Sequence, residues 1–160
     1  MSLIRSLSIL PLAVACLGAA CETEQAEADP EFPAPKLMAH RAGTADRPEN
    51  TLAAIESSLA QRADMIWLSV QLSADGVPVL YRPASLDALT NGTGKVADWT
   101  AAGLAQLNAG WHFVQTAPDG TQRYPYRAQP VGIPTLRDAL RAIPAAVPVV
   151  LDMKSMPAAP

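Results

Sequence analysis

Three short, mainly apolar runs constrain the fold of this chain more than any other feature. They are residues 36–40 (KLMAH), 65–72 (MIWLSVQL) and 148–154 (PVVLDMK). Runs of this length and composition are typical of buried strands in a parallel sheet. Helical patterns separate the runs, so the order is strand, helix, strand, loop with helices, helix, strand. This βαβαβ order predicts an α/β fold in which helical crossovers connect parallel strands.

The segments between the runs carry helix signals. Asn50 or Thr51 can cap a first helix. Its apolar positions follow helical spacing and are Leu52, Ile55 and Leu59. Residues 100–107 are predicted to form a second helix, and Pro134 to open a third in its first turn. Most of the remaining chain between residues 82 and 130 is predicted to be a long loop insertion.

Residues 1–21 are predicted to be a targeting signal. Arg5 precedes an apolar run that is too short for the roughly 20 residues of a membrane-spanning helix. The run ends in small residues before Cys21, which resembles the bacterial lipoprotein signal, although Gly18 replaces the usual leucine. We therefore expect a lipid anchor on Cys21 in the bacterial cell envelope, at the outer membrane or in the periplasm. Secretion after ordinary signal cleavage is the alternative.

Composition excludes several classes of protein and site. Cys16, a second candidate for lipidation, and Cys21 both fall in the signal, so we expect no disulfide and no cysteine metal site in the folded part. Residues 22–36 are acidic and rich in Pro and Ala, which predicts a disordered tether. Residues 37–160 remain as one domain. A net charge of −3 without basic runs argues against a nucleic-acid partner.

Polar side chains cluster at the predicted carboxyl ends of the three strands. They are His40 and Arg41 at the first strand, Trp67 and Ser69 on the second, and Asp152 and Lys154 on the third. Ligands of parallel α/β folds bind at these ends. Strand residues two apart share a face, so we expect these side chains to meet in one pocket.

Several longer segments together resemble the glycerophosphodiester phosphodiesterase family. They occur in family order as MAHRAG (38–43), PENTLAAI (48–55), ADMIWLSVQLSADGVPVLY (63–81), LDALTNGTGKV (86–96), NAG (108–110), IPTL (133–136) and VVLDMK (149–154). The resemblance implies a TIM barrel, of which about three of the eight strands are present. It also implies cleavage of glycerophosphodiesters to glycerol 3-phosphate and an alcohol, with calcium or magnesium as cofactor.

The first part of the resemblance is intact. His40 matches the family's first catalytic histidine, and Arg41 matches its phosphate-binding neighbour. Glu49 and Asn50 match the family's Glu-Asn pair and are predicted to bind substrate. Glu49 is also a weak candidate for binding the metal.

The second part of the resemblance is altered. Asp152 matches the metal-binding acid of the third strand, and Lys154 matches the lysine after it. Trp67 and Ser69 stand where the family has two metal-binding acids, and Arg82 stands where it has its second histidine. An arginine stays protonated near neutrality and cannot act as a general base. We therefore predict that catalysis is impaired.

One hypothesis accounts for these substitutions together. Fewer carboxylates weaken cation binding, while Arg41, Arg82 and Lys154 can receive a phosphate directly, opposed only by Glu49 and Asp152. According to this hypothesis, the pocket binds a phosphate or a glycerophosphodiester without a metal ion and without efficient hydrolysis.

Two alternatives remain open at this point. In the first, the protein is an active hydrolase that uses His40 with a depleted metal site of Glu49 and Asp152. In the second, it is a truncated, inactive fragment of a longer barrel, with an open sheet edge that favours self-association. His112 matches no family role, and we expect it at the surface unless its loop folds over the pocket.

Overall fold

The structure is a computed structural model that describes residues 34–155. The predictions for the signal, for lipidation of Cys21 and for most of the tether lie outside these residues. Residues 34–36 are exposed and have no regular structure. Between residues 34 and 155, no helix is both long and apolar enough to cross a membrane.

The elements follow the predicted strand–helix order. The strands are β1 (Met38–Ala39), β2 (Met65–Leu72), β3 (Pro78–Leu80), β4 (Gln115–Thr116), β5 (Gln122–Arg123) and β6 (Val149–Met153). The α-helices are α1 (Leu52–Ala60), α2 (Ala101–Gln106), α3 (Pro125–Ala128) and α4 (Leu136–Ala142). Short 3-10 turns occupy His40–Ala42, Leu86–Ala88 and Val96–Asp98. The α/β prediction is confirmed.

Strand β2 is the centre of the main sheet. It pairs in parallel with β1 and β6 and antiparallel with β3. The Ile66 N–H donates to Pro148 O, on the β6 side, whereas Ser69 O accepts from the Tyr81 N–H, on the β3 side. Successive peptide groups of a strand point to opposite edges, so β1 and β3 share one edge of β2 and β6 lies along the other.

A threonine caps each of the three longer helices. The Oγ1 atoms of Thr51, Thr100 and Thr135 accept hydrogen bonds from backbone N–H groups in the first turns of α1, α2 and α4. Thr51 is therefore the cap of α1. The prediction that Pro134 begins the last helix was wrong, because α4 begins after its Thr135 cap and Pro134 precedes that cap. Its carbonyl instead accepts a hydrogen bond from the Leu80 N–H at 2.9 Å.

The main core lies between the sheet and the helices α1 and α4. Ile66, Leu68 and Val70 of β2 are fully buried there. On the predicted apolar face of α1, Ile55 is buried as predicted, but Leu52 is exposed. Small side chains complete that face, and the Ser58 hydroxyl donates to Ala42 O at 2.7 Å. This bond brings α1 close to the turn at His40–Ala42.

The segment after β3 is more ordered than the predicted loop. Its apolar residues form a second core with β3 and α2, which includes Tyr81, Leu86, Leu104 and Ile133. Strands β4 and β5 form a separate antiparallel hairpin. The sequence signals were too short to predict this hairpin, since each of its strands has two residues.

The outer edge of β6 is open among the described residues. Leu151 and Met153 lie opposite Leu68 and Val70, on the same face of the sheet. The β2 residues are fully buried, whereas Leu151 and Met153 are 43% and 44% exposed. No described element covers this end of the face. The predicted self-association through this edge stays a prediction.

Asn50 connects the loop before α1 to the central strand. Its side chain is 2% exposed, its Oδ1 accepts from the Ser69 N–H at 2.9 Å, and its backbone has a positive φ of 56°. Glycine tolerates this φ. We therefore expect Asn50→Gly to lower the free energy of unfolding by about 1–3 kcal/mol, because the buried Ser69 N–H loses its partner.

Urea denaturation measures this change. Glu56→Ala, at an exposed position of α1, is the control and is expected to change stability by less than about 0.5 kcal/mol. Equal stability of Asn50→Gly and the control would contradict the structural role of Asn50.

Candidate functional site

The first wall of the candidate site is a strained turn at the carboxyl end of β1. Arg41 and Ala42 have positive φ values of 53° and 61°, a conformation that costs free energy in residues other than glycine. The Gly43 N–H donates to His40 O, and the Asn50 N–H donates to Arg41 O at 2.8 Å. These bonds hold the turn and fix the direction of the Arg41 side chain.

Arg41 and Glu49 form a partly buried ion pair. Arg41 Nη1 lies 2.7 Å from Glu49 Oε2, and the two side chains are 22% and 13% exposed. The second carboxylate oxygen, Oε1, is buried and has no hydrogen-bond partner among the described residues. Arg41 keeps further guanidinium N–H groups for a ligand, because a guanidinium has five.

Trp67 forms an aromatic wall beneath His40. The His40 and Trp67 rings meet edge to face, with centroids 5.7 Å apart and planes at 88°. The Trp67 Nε1 atom is buried and makes no hydrogen bond to a described residue. His40 itself is exposed, so a ligand can reach its imidazole.

The register between β2 and β6 brings Asp152 opposite Ser69. Asp152 Oδ2 accepts from Lys154 Nζ at 2.8 Å and from Ser69 Oγ at 3.3 Å. The Lys154 ammonium lowers the pKa of Asp152 below its ordinary value, partial burial opposes this effect, and the Ser69 hydroxyl lowers the pKa further. The Asp152 carboxylate is therefore already occupied by a cation of the chain itself.

The donor set does not fit a resident calcium or magnesium ion. Hard cations need several oxygen ligands at once, and no group of three or more His, Cys, Asp or Glu side chains that could hold a metal ion occurs among residues 34–155. Glu49 is paired with Arg41, and Asp152 is paired with Lys154. Both candidate metal ligands are therefore already engaged by basic side chains.

Arg82 and Asn50 differ from the other predicted site residues in their contacts. Arg82 is exposed, and no described hydrogen bond or ion pair joins its side chain to the site. Gln71 Nε2 donates to the carbonyls of Tyr81 and Pro83 and so fixes the backbone on both sides of Arg82. Asn50 is buried and holds β2, so any contact with substrate depends on its unpartnered Nδ2. Substrate binding by both residues stays a prediction.

Two further residues lie in this region, and the sequence did not indicate a role in the site for either of them. His112 is exposed, as expected, but it lines a cavity of about 270 Å³ together with Glu49. Tyr81 is 2% exposed, and its hydroxyl donates to the carbonyls of Ser85 and Leu86. Burial is the largest of the influences that together raise the pKa of Tyr81 to about 12; a backbone hydrogen bond at Leu89 opposes it, and the charges of Glu49 and Asp87 support it. Tyr81 therefore stays neutral and anchors the loop after β3.

Comparison with known proteins identifies related sequences and folds. Residues 40–158 match the model of the glycerophosphoryl diester phosphodiesterase family. Rv2277c, an uncharacterised protein of Mycobacterium tuberculosis, is 46% identical over 147 residues, which are 92% of this chain and 48% of that protein. Bovine glycerophosphodiester phosphodiesterase 1 is 37% identical over 103 residues, which are 64% of this chain and 28% of the enzyme.

Solved structures agree with these sequence relationships. The glycerophosphoryl diester phosphodiesterase domain of Rv2277c superposes with a TM-score of 0.70 at 50% identity and covers 75% of this chain and 44% of that structure. A phosphodiesterase of Oleispira antarctica, in complex with the product sn-glycerol-3-phosphate, has a TM-score of 0.62 at 29% identity. The match covers 75% of this chain and 44% of that structure. The chain therefore spans less than half the length of these relatives.

The ion pair between Lys154 and Asp152 gives a direct prediction. We expect Lys154→Met to raise the pKa of Asp152 towards its ordinary value, because the largest lowering influence is lost. A carboxyl whose pKa is lowered stabilises the fold above its unfolded pKa, and this stabilisation disappears as the pH falls through the folded pKa. The variant should therefore lose less stability on acidification than the unaltered protein.

Carbon-detected NMR titration of the Asp152 carboxyl measures the pKa. The control is Arg141→Met, which removes an exposed cation from α4. This variant should leave the pKa of Asp152 unchanged. The same Asp152 pKa in the Lys154→Met variant and the unaltered protein would contradict the ion pair.

Proposed function

The chain belongs to the glycerophosphoryl diester phosphodiesterase family, and from this premise we propose that it binds the phosphate of a glycerophosphodiester at the carboxyl ends of β1, β2 and β6. The proposed site binds without a divalent cation and hydrolyses its ligand poorly. The observation that carries this proposal is the 2.8 Å pair in which Lys154 occupies the Asp152 carboxylate.

Phosphate binding in this site is supported by the charges of its walls. Arg41 and Lys154 are partly exposed, at 22% and 36% of their side chains. An anionic ligand can share these two cations with their carboxylate partners, because each cation has N–H donors that its pair does not use. Arginine adds bidentate geometry for phosphate oxygens. Arg82 extends the cationic rim in this proposal.

Poor hydrolysis is supported by the missing proton-transfer group. Phosphodiester cleavage needs charge neutralisation and a group that protonates the leaving alcohol. The site offers His40 for this role, while the position of the second histidine holds Arg82, which stays protonated. Because Arg82 takes the position of that second histidine, we propose binding as the main activity.

Metal-dependent hydrolysis is the second candidate function. It is favoured by the relationship to a phosphodiesterase whose structure contains sn-glycerol-3-phosphate. In this alternative His40 would act as acid or base, and Glu49 and Asp152 would be the residues that hold calcium or magnesium. The relatives are about twice as long as this chain.

Calorimetric titration with sn-glycerol 3-phosphate in EDTA tests the first candidate. We expect saturable binding that weakens by about 10- to 100-fold in Arg41→Ala, since hydrogen bonds to charged groups contribute about 1.5–3 kcal/mol. Arg82→Ala should weaken binding less, because its side chain is exposed. Arg137→Ala, on α4, is the matched control. Unchanged binding in the Arg41 and Arg82 variants would reject the proposal.

The same preparations separate the second candidate. Glycerophosphocholine hydrolysis is measured with added calcium, with magnesium and with EDTA. Turnover that requires metal and disappears in His40→Ala would establish the hydrolase instead of the binding protein.

We also propose that the protein is lipid-anchored in the cell envelope through Cys21. The support is the small-residue run before that cysteine. In a bacterial host, the unaltered protein should fractionate with membranes, and Cys21→Ser should move it to the soluble fraction, with Cys16→Ser as control. Equal fractionation of the three proteins would contradict the anchor.

A further inference from the structure

The cavity that His112 and Glu49 line adjoins the proposed phosphate site at Glu49, and phosphate binding as proposed above does not use it. Its volume is about 270 Å³. Its lining is mainly apolar and includes Pro48, Glu49, Leu89, His112, Phe113 and Val114. Glu49 is the carboxylate of this lining, so the cavity combines one anionic group with walls that suit methylene groups.

Glu49 belongs to both the phosphate site and this cavity. Its Oε2 accepts from Arg41 Nη1 at 2.7 Å, while its Oε1 is buried and has no partner among the described residues. A buried carboxylate oxygen without a donor is unfavourable, because it has lost its water without gaining a hydrogen bond. The terminal torsion of a glutamate is broad. Oε1 can therefore turn towards a donor in the cavity.

We propose that this cavity binds the alcohol part of the phosphodiester and selects an amino alcohol with a primary ammonium group. This inference rests on the proposed function, because it takes the phosphate at Arg41 as its fixed point. In this arrangement the phosphate binds Arg41, Arg41 binds Glu49, and Glu49 binds the ammonium, so that charges of opposite sign alternate. The methylene groups of the ligand close the ring between the ammonium and the phosphate. The methylene groups between phosphate and ammonium then contact Leu89 and Phe113.

The chemistry of Glu49 Oε1 explains the selectivity. A primary ammonium has three N–H donors and carries a charge, so its hydrogen bond to a carboxylate is about twice as strong as a neutral one. A trimethylammonium group has no N–H donor and leaves Oε1 without a partner. A hydroxyl group satisfies Oε1 but contributes no charge. The expected order is therefore ethanolamine ester, then glycerol ester, then choline ester.

Calorimetric titration of the full chain with three probes tests the selectivity. The probes are inorganic phosphate, glycerophosphoethanolamine and glycerophosphocholine. We expect the ethanolamine ester to bind at least about 10-fold more tightly than the choline ester. Val114 is 39% exposed at the rim, so Val114→Trp should close the cavity and abolish this preference while the affinity for inorganic phosphate stays unchanged. Leu140→Trp, at an exposed position of α4 away from the cavity, is the matched control.

The outcomes separate this inference from the proposed function. Equal affinities for the two esters, with inorganic phosphate still bound, would overturn the head-group selectivity alone. A preference that survives in Val114→Trp would also overturn it, because the cavity would then not be the binding site. Absence of binding for phosphate and for both esters would overturn the proposed function itself. If Val114→Trp does not fold, the comparison of the two esters on the unaltered protein decides.

Discussion

The parallel register between β2 and β6 places Ser69 opposite Asp152, and the chemistry of the site depends on that alignment. Side chains two residues apart on a strand share a face, so Lys154 projects beside Asp152 and Trp67 lies next to Ser69. The opposite face of β2 carries Ile66, Leu68 and Val70, which are fully buried against the helices. A slip of one residue would exchange these faces and bury the charged side chains. The hydrophobic core therefore fixes the position of the polar site.

Two internal ion pairs then determine what the site can bind. Arg41 is paired with Glu49, and Lys154 is paired with Asp152. Each pair is nearly neutral and partly open to water, and its cation keeps N–H groups that an anion can bind. A divalent cation would have to displace both basic side chains and would gain at most two carboxylates. This pairing supports the proposal that the site binds a phosphate rather than a metal ion.

The sequence predicts the main elements of this fold because their signals are local. The strand at residues 65–72, the helix after Thr51 and the order of strands and helices all follow from short patterns. The contacts of the site depend on tertiary structure and could not be predicted in this way. Asn50 was predicted to bind substrate, but its Oδ1 holds the Ser69 N–H. His112 reaches the cavity of Glu49 through the loop after α2, and no spacing in the sequence indicates this approach.

In the proposed site, the Lys154 ammonium takes the place that a divalent cation would occupy at Asp152. Titration of ¹⁵N-labelled protein with paramagnetic Mn²⁺ tests this exclusion, because a bound ion broadens the amide signals around it whether or not the protein is active. We expect no saturable broadening of the amides of residues 150–154 or of Glu49. Saturable broadening centred on these residues would contradict it.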